Sequence, residues 1–230
     1  MNKNSFPTAL TIAGTDPSGG AGIMADLKSF QARQVYGMAA VTSVVAQNTK
    51  GVRLIQNVDL EMLEAQLACV FEDIPPLALK TGMIPNVDMM RIIRKYVDGS
   101  VPYVMDPVMV ATSGDHLIDA QARDQFKAEL MPVATLVTPN LSETEYLVGF
   151  AIESESDVKK AAQFVLNEMG PKALLSKAAI SAKQRRIICI LKVKNSLPLK
   201  VHAMIRQTPM ARVARSPLSS RRNLLKVNLW

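Results

Sequence analysis

The sequence predicts an α/β protein, a doubly wound and mostly parallel sheet with helices on both faces, incomplete at its C-terminal end. Three observations predict it. From residue 8 to residue 177, short apolar runs alternate with longer segments of helical character. The short runs are apolar on both faces and bounded by Gly, Pro or Asn, as expected of strands covered on both sides. Polar strings gather at the ends of those runs, where a doubly wound sheet holds its ligands.

Thr8–Gly14 is the first strand, an apolar run that stops at Gly14. The polar turn Thr15-Asp16-Pro17-Ser18 follows, then Gly19-Gly20-Ala21-Gly22, and a helix over Ile23–Gln34. Backbone amides at such a helix start can meet a polar or anionic ligand, and glycine permits close approach. The spacing is neither GxGxxG nor GxxxxGK[ST], so dinucleotide and P-loop readings do not apply. Ala39–Asn48 is the second strand, ending in Gln47-Asn48-Thr49, and Leu60–Phe71 the next helix. Leu77–Met83 ends in Gly82-Met83 and leads to a helix over Val87–Val97. Val101–Val108 ends in Asp106-Pro107-Val108-Met109; the turn Thr112-Ser113-Gly114-Asp115 precedes a helix over Asp119–Leu130. Leu136–Asn140 ends in Thr138-Pro139-Asn140 and opens a helix over Leu141–Val148. A helix over Glu153–Met169 leads to the last strand, Ala173–Lys177.

Composition bounds the rest. A chain of 230 residues with 48% hydrophobic and 5% aromatic content can bury a sizeable core. It lacks an apolar run of the ~18 residues a membrane span needs, and its N-terminus is a poor signal peptide. Cys69 and Cys189 have no metal spacing, and His116 and His202 stand alone, so a cytoplasmic protein with inert thiols is expected. The net charge of +7 conceals two unlike parts. Residues 1–176 hold 14 Lys and Arg with all 20 acids, while residues 177–230 hold 13 Lys and Arg and no acid. A basic arm for nucleic acid would account for that, although it carries few aromatics for stacking. Ala178 to Trp230 also has no glycine and no clear β-α alternation. Two units are therefore expected: an α/β domain over 1–177 and a basic tail over 178–230.

Candidate site residues lie at the strand ends. The Gln47 carboxamide offers a donor and an acceptor, or it caps a turn. Asp26 sits in the first turns of a helix, where the dipole also favours an acid. Met83 and Val108 are apolar and would equally serve the core. Asp106, Asn140 and Glu143 supply oxygen atoms of the kind Mg²⁺ prefers. Asn140 followed three residues later by Glu143 also reads as a capping box. Lys177 ends the last strand, where a lysine is usually solvated.

The string TIAGTDPSGGAGIMADL, Thr11 to Leu27, resembles the N-terminal substrate loop of the hydroxymethylpyrimidine and phosphomethylpyrimidine kinases of thiamine biosynthesis, within the ribokinase-like superfamily. The resemblance runs from about Ala9 to Lys177. It implies ATP-dependent phosphorylation of 4-amino-5-hydroxymethyl-2-methylpyrimidine and of its monophosphate, with Mg²⁺ as cofactor and ATP as co-substrate. It implies Gly14, Asp26, Gln47, Met83 and Val108 as the pyrimidine site, Gln47 pairing with the ring edge. Asp106, Asn140 and Glu143, the last two in an N-x-x-E element, are implied as the cation network, and Lys177 as a neighbour of the nucleotide phosphates. A homodimer is compatible with it. Related pyridoxine and pyridoxal kinases are the enzymatic alternative, disfavoured by Gln47, and a non-catalytic pyrimidine-binding remnant is another.

Beyond Lys177 the resemblance stops. The family continues with Gly-Gly-His and later His-Gly-Thr-Gly-Cys-Thr, a loop that supplies the anion hole and the cysteine at the catalytic-base position. Neither string occurs here, and Cys189 lies in unrelated surroundings, so no catalytic residue is assigned and activity is expected to be absent or strongly impaired. Both strings can be recovered in one shifted frame. Pro209 to Arg215 can be encoded as CCC ATG GCA CGG GTT GCA CGT, which from its third base reads His-Gly-Thr-Gly-Cys-Thr. Ala178 to Ser181, as GCG GCC ATT TCA, gives Gly-His-Phe at the same offset. A one-nucleotide deletion near the Lys177 codon is the expected cause of the basic tail. With the final sheet elements missing, an uncovered, unpaired sheet edge is expected as well.

Overall fold

The structure, a computed structural model, describes residues 6–109, 120–178, 187–193 and 199–203. Its strands are β1 (Thr8–Ala13), β2 (Tyr36–Val41), β3 (Ser43–Asn48), β4 (Gly51–Asn57), β5 (Ala78–Thr81), β6 (Tyr103–Met105), β7 (Leu136–Val137), β8 (Ala173–Ala178), β9 (Ile187–Val193) and β10 (Leu199–Ala203). Its helices are α1 (Gly22–Ala32), α2 (Leu60–Asp73), α3 (Val87–Tyr96), α4 (Ala120–Glu129), α5 (Leu141–Val148) and α6 (Glu155–Glu168). Eight strands form one sheet in the order β10-β9-β8-β7-β6-β5-β1-β2, while β3 and β4 form a separate antiparallel hairpin. Pairing is parallel from β2 through β8 and antiparallel among β8, β9 and β10.

Side-chain alternation along β1 decides what each face carries. Leu10 and Ile12 join a buried cluster with Leu63 and Leu67 of α2 and with Met89, Met90 and Ile93 of α3. Thr11 points the other way and donates a hydrogen bond to Asp26 of α1. Helices thus cover both faces, α2, α3 and α4 packing side by side in sequence order. Helix ends are fixed locally. Asn86 accepts the Met89 amide at the start of α3, and Gly149 takes the left-handed conformation (φ 77°) that ends α5.

From β1 the chain goes to β2 on one side, then to β5 on the other, so strand order reverses at β1. The crevice beyond the carboxyl ends of β1 and β5 is where such a sheet holds its ligand.

Two expectations need correction. The single strand expected over Ala39–Asn48 is two, because the chain leaves the sheet at Thr42. The Thr42 amide donates to the Ala13 carbonyl (3.0 Å) and its hydroxyl to the Met83 carbonyl (2.8 Å). Ser43 onward then pairs with β4, whose Arg53 and Leu54 are exposed, so its sequence lacks the burial pattern of a sheet strand. The open edge expected after Lys177 also lies elsewhere among the described residues, because β8 is paired and β10 ends the sheet. β9 pairs with β8 from Ala173↔Val193 to Ala178↔Ile188, and the β-branched run Ile187–Val193 suits a strand without glycine or acids nearby. The turn at Thr112–Asp115, His116 and Asp119 lie outside the described residues.

Candidate functional site

The glycine loop after β1 is held together by one carboxylate. Asp16, buried, accepts the Ser18 amide (2.9 Å) and hydroxyl (2.7 Å) on Oδ1. Its Oδ2 accepts the amides of Gly20 (3.0 Å) and Ala21 (2.8 Å). Burial pushes this carboxyl up, but hydrogen bonding from Gln47, Ser18 and the amides of Ser18 and Ala21 outweighs it and holds the group below the usual carboxylate range. The Ile23 amide is spent on the Gly14 carbonyl (3.1 Å). Most amides expected to greet a ligand at the start of α1 are therefore used inside the loop, and the loop acts as a shaped wall. Thr15 ties that wall to the hairpin: its hydroxyl accepts the Val45 amide (2.8 Å) and its amide donates to the Ser43 carbonyl (2.9 Å).

The wall bounds a cavity of about 350 Å³ at the carboxyl ends of β1, β5 and β6. Gly14, Asp26, Gln47, Met83 and Val108 all line it. The Met83 methyl packs over the backbone at Gly14, where a Cβ would sit 3.4 Å from it. Gln47 comes from the hairpin beside a register shift between Ala46 and Gln47, and it lines the cavity with Val45, two residues earlier on the same face of β3. The cavity therefore combines a carboxamide, a carboxylate and two apolar side chains, enough to bind a flat polar ring by its edge and faces.

Asp106 lines the same cavity at the end of β6, and its Oδ1 accepts the Thr138 hydroxyl (3.2 Å) from the neighbouring strand end. Asn140 and Glu143 stand outside the cavity lining. They form the capping box of α5: Asn140 Oδ1 accepts the Glu143 amide (2.9 Å), and Glu143 Oε2 accepts the Asn140 amide (2.8 Å). Among the described residues, no three His, Cys, Asp or Glu side chains converge as a ready metal site. The oxygen donors at these two strand ends suit Mg²⁺ chemically, with water completing the shell. Lys177 lies in β8 opposite Cys189 of β9; its side chain is outside the described residues.

Comparison with known proteins places this arrangement. Residues 16–206 match the family described as phosphomethylpyrimidine kinase. The chain belongs to the phosphomethylpyrimidine kinase family. A hydroxymethylpyrimidine/phosphomethylpyrimidine kinase of Staphylococcus aureus is 50% identical over 175 residues, 75% of this chain and 63% of that protein. The chain thus spans less than two thirds of that relative's length. The crystal structure of phosphomethylpyrimidine kinase from Clostridium difficile is similar at a TM-score of 0.77 and 37% identity, covering 85% of this chain and 84% of that one. An ADP complex of Bacillus subtilis pyridoxal kinase gives the same TM-score at 32% identity, covering 89% of this chain and 77% of the other. Backbone shape alone does not separate phosphomethylpyrimidine kinases from pyridoxal kinases; the pocket residues have to.

Two further residues shape the pocket of this family member, Lys80 in its lining and Asp16 behind the loop that bounds it. Asp16 carries a visible signal, an Asp followed two residues later by Ser in a turn, which commonly closes on itself. Lys80 had none. It looks like any strand residue until β5 is placed beside β1 and its ammonium meets Asp26.

Proposed function

We propose that the site is that of an ATP-dependent kinase for 4-amino-5-hydroxymethyl-2-methylpyrimidine and its monophosphate in thiamine biosynthesis, acting in the cytoplasm. We propose further that this chain as translated binds the pyrimidine and transfers little phosphate. The observation that carries the reading is the meeting of Gln47, Asp26, Met83 and Val108 in one cavity at the switch point of the sheet. A carboxamide can both donate to a ring nitrogen and accept from the adjacent amino group, the edge an aminopyrimidine presents. Met83 and Val108 would flank the ring, and Gly14 would let the loop lie against it.

In the reaction, the substrate hydroxymethyl oxygen bonds to the γ-phosphorus of ATP, the bond to the ADP oxygen breaks, and a base takes the hydroxyl proton. Bound Mg²⁺ would neutralise charge between the phosphate oxygens. Asp106, Asn140 and Glu143 are the residues proposed to hold it, in part through water, and Lys177 is proposed to lie near the nucleotide phosphates. The string His-Gly-Thr-Gly-Cys-Thr is missing from these 230 residues, and with it the proposed anion hole and base. Removing a single oxyanion donor costs on the order of 10²–10³ in rate, and removing a whole loop costs more.

The tail supports a frame change. A single G deleted from AAG GGC GGC CAT TTC, which encodes Lys-Gly-Gly-His-Phe, leaves AAG GCG GCC ATT TC. That reads Lys177-Ala178-Ala179-Ile180, followed by the first two bases of a Ser181 codon. The proposal is a one-nucleotide deletion at this point, and the coding DNA decides it.

Pyridoxal kinase is the second reading, kept because the B. subtilis enzyme matches the fold equally well. A ligand panel separates the two. At 100 times its dissociation constant, the aminopyrimidine is expected to raise the melting temperature by about 5–10 °C. Pyridoxal at the same concentration is expected to raise it far less. A larger shift with pyridoxal would reverse the assignment.

A further inference from the structure

Thr11 and Lys80 are register partners on the adjacent parallel strands β1 and β5, so their side chains rise together from one face of the sheet. Both reach the same atom. The Thr11 hydroxyl donates to Asp26 Oδ2 at 2.6 Å, and the Lys80 ammonium lies 2.7 Å from that oxygen. Asp26 belongs to α1, so three elements converge on one carboxylate oxygen. The other oxygen, Oδ1, takes no hydrogen bond among the described residues, although Asp26 is only 5% exposed and lines the cavity. The room for Lys80 is built in as well. A Cβ at position 82, just past the end of β5, would come within 3.1 Å of the ammonium, and Gly82 has none.

We propose that Lys80 is a positioning residue that acts through Asp26. A free carboxylate rotates and offers either oxygen. Two short donors on Oδ2 stop that rotation and reserve Oδ1 as an acceptor. An ionised carboxylate can only accept, so the ligand group opposite it has to be a donor: a ring hydroxymethyl or an exocyclic amine. Lys80 would thus make the pocket discriminate by the presence of that donor, acting through the carboxylate it holds. A site built to satisfy a polar group rejects analogues lacking it more sharply than an apolar pocket rejects a missing methylene. This inference rests on the pyrimidine reading of the cavity.

The test is a binding cycle on the 230-residue chain. Titration calorimetry would use 4-amino-5-hydroxymethyl-2-methylpyrimidine and two analogues, one with methyl in place of hydroxymethyl and one without the 4-amino group. Wild type, Lys80→Met, Lys80→Arg, Asp26→Asn and the double variant Lys80→Met/Asp26→Asn are compared. Lys80→Met should weaken the parent ligand about tenfold or more while leaving one of the two analogues within twofold, which identifies the donor that Oδ1 reads. In the Asp26→Asn background Lys80→Met should have no further effect on affinity. Lys80→Arg, which keeps the charge, should recover part of the discrimination and covers the case in which Lys80→Met does not fold. Equal weakening of all three ligands would overturn the proposal, as would full additivity of the two substitutions. A melting temperature that falls with ligand discrimination intact would reduce Lys80 to a helix anchor and overturn it too. Wild-type chain that bound none of the three pyrimidines would overturn the pocket reading, and this inference with it.

Discussion

Gly22 and Gly14 are in contact across the mouth of the glycine loop: a Cβ at position 22 would overlap the Gly14 carbonyl oxygen. The next residue, Ile23, donates its amide to that same carbonyl, which pulls the start of α1 down onto the end of β1. Gly22 also has φ 55°, a left-handed conformation that favours glycine. Gly22→Ala should therefore cost about 2–3 kcal/mol or more, combining left-handed strain with a backbone clash. Urea unfolding would measure it. A cost below ~0.5 kcal/mol would mean that the loop relaxes freely and that its close approach is not required.

Gln47 is expected to carry most of the recognition of the ring edge. Gln47→Ala should remove most of the ligand-induced rise in melting temperature, because truncation leaves the ring's donor and acceptor unpaired in a largely desolvated site. The melting temperature without ligand should fall only modestly: Gln47 stands on the hairpin outside the main buried cluster, and its hydrogen bond to Asp16 is one of several on that carboxylate. An undiminished ligand shift in the variant would show that another residue reads the edge.

Asp16 gives the loop a pH dependence. Its folded pKa lies below the unfolded value of about 3.9, so its contribution is fully present above that value and is lost as pH falls through the folded pKa. Asp16→Asn should cost about 2–3 kcal/mol near neutral pH, since it replaces charge-assisted acceptors and points an amide at loop N–H groups. The difference between wild type and variant should shrink progressively below about pH 4. Parallel unfolding curves from pH 3 to 7 would show it; a difference that stayed constant over that range would assign the effect to packing.

Asn140 has two possible jobs that substitution can separate. Asn140→Ala should destabilise by about 1 kcal/mol through loss of the α5 cap, and Asn140→Ser should not, because serine caps equally well. If Asn140 also serves the cation network, Asn140→Ser in a catalytically complete chain should lower turnover at limiting Mg²⁺ while preserving the melting temperature. Full turnover in that variant would leave Asn140 as a cap alone.

The parallel sheet and six helices were legible because buried strands between Gly, Pro and Asn punctuation have few other readings. The hairpin was not. Val44-Val45-Ala46 continues the apolar pattern of Ala39-Ala40-Val41, and only the tertiary bonds of Thr42 to β1 and to the Met83 carbonyl divide them. The cavity residues Asp26, Gln47, Met83 and Val108 could be placed because each lies at or beyond a strand end or on the first helix that follows. Lys80 could not, since its significance depends on register with Thr11, a relation between segments far apart in sequence. β9 was not legible for a different reason: the apolar run Ile187–Val193 suffices for a strand, but no glycine turn or β-α alternation marks it off in the basic sequence around it.

The central claim is that this chain keeps the pyrimidine pocket and lacks the groups that transfer phosphate. The most direct measurement is ATP-dependent phosphorylation of 4-amino-5-hydroxymethyl-2-methylpyrimidine by this chain and by one with a single G restored after the Lys177 codon, side by side. The expected result is pyrimidine binding by both, with turnover several orders of magnitude higher in the restored chain, as loss of more than one transition-state contact requires. Comparable turnover by the two chains would contradict the claim, because it would place a base and an anion hole among residues to which neither role is assigned.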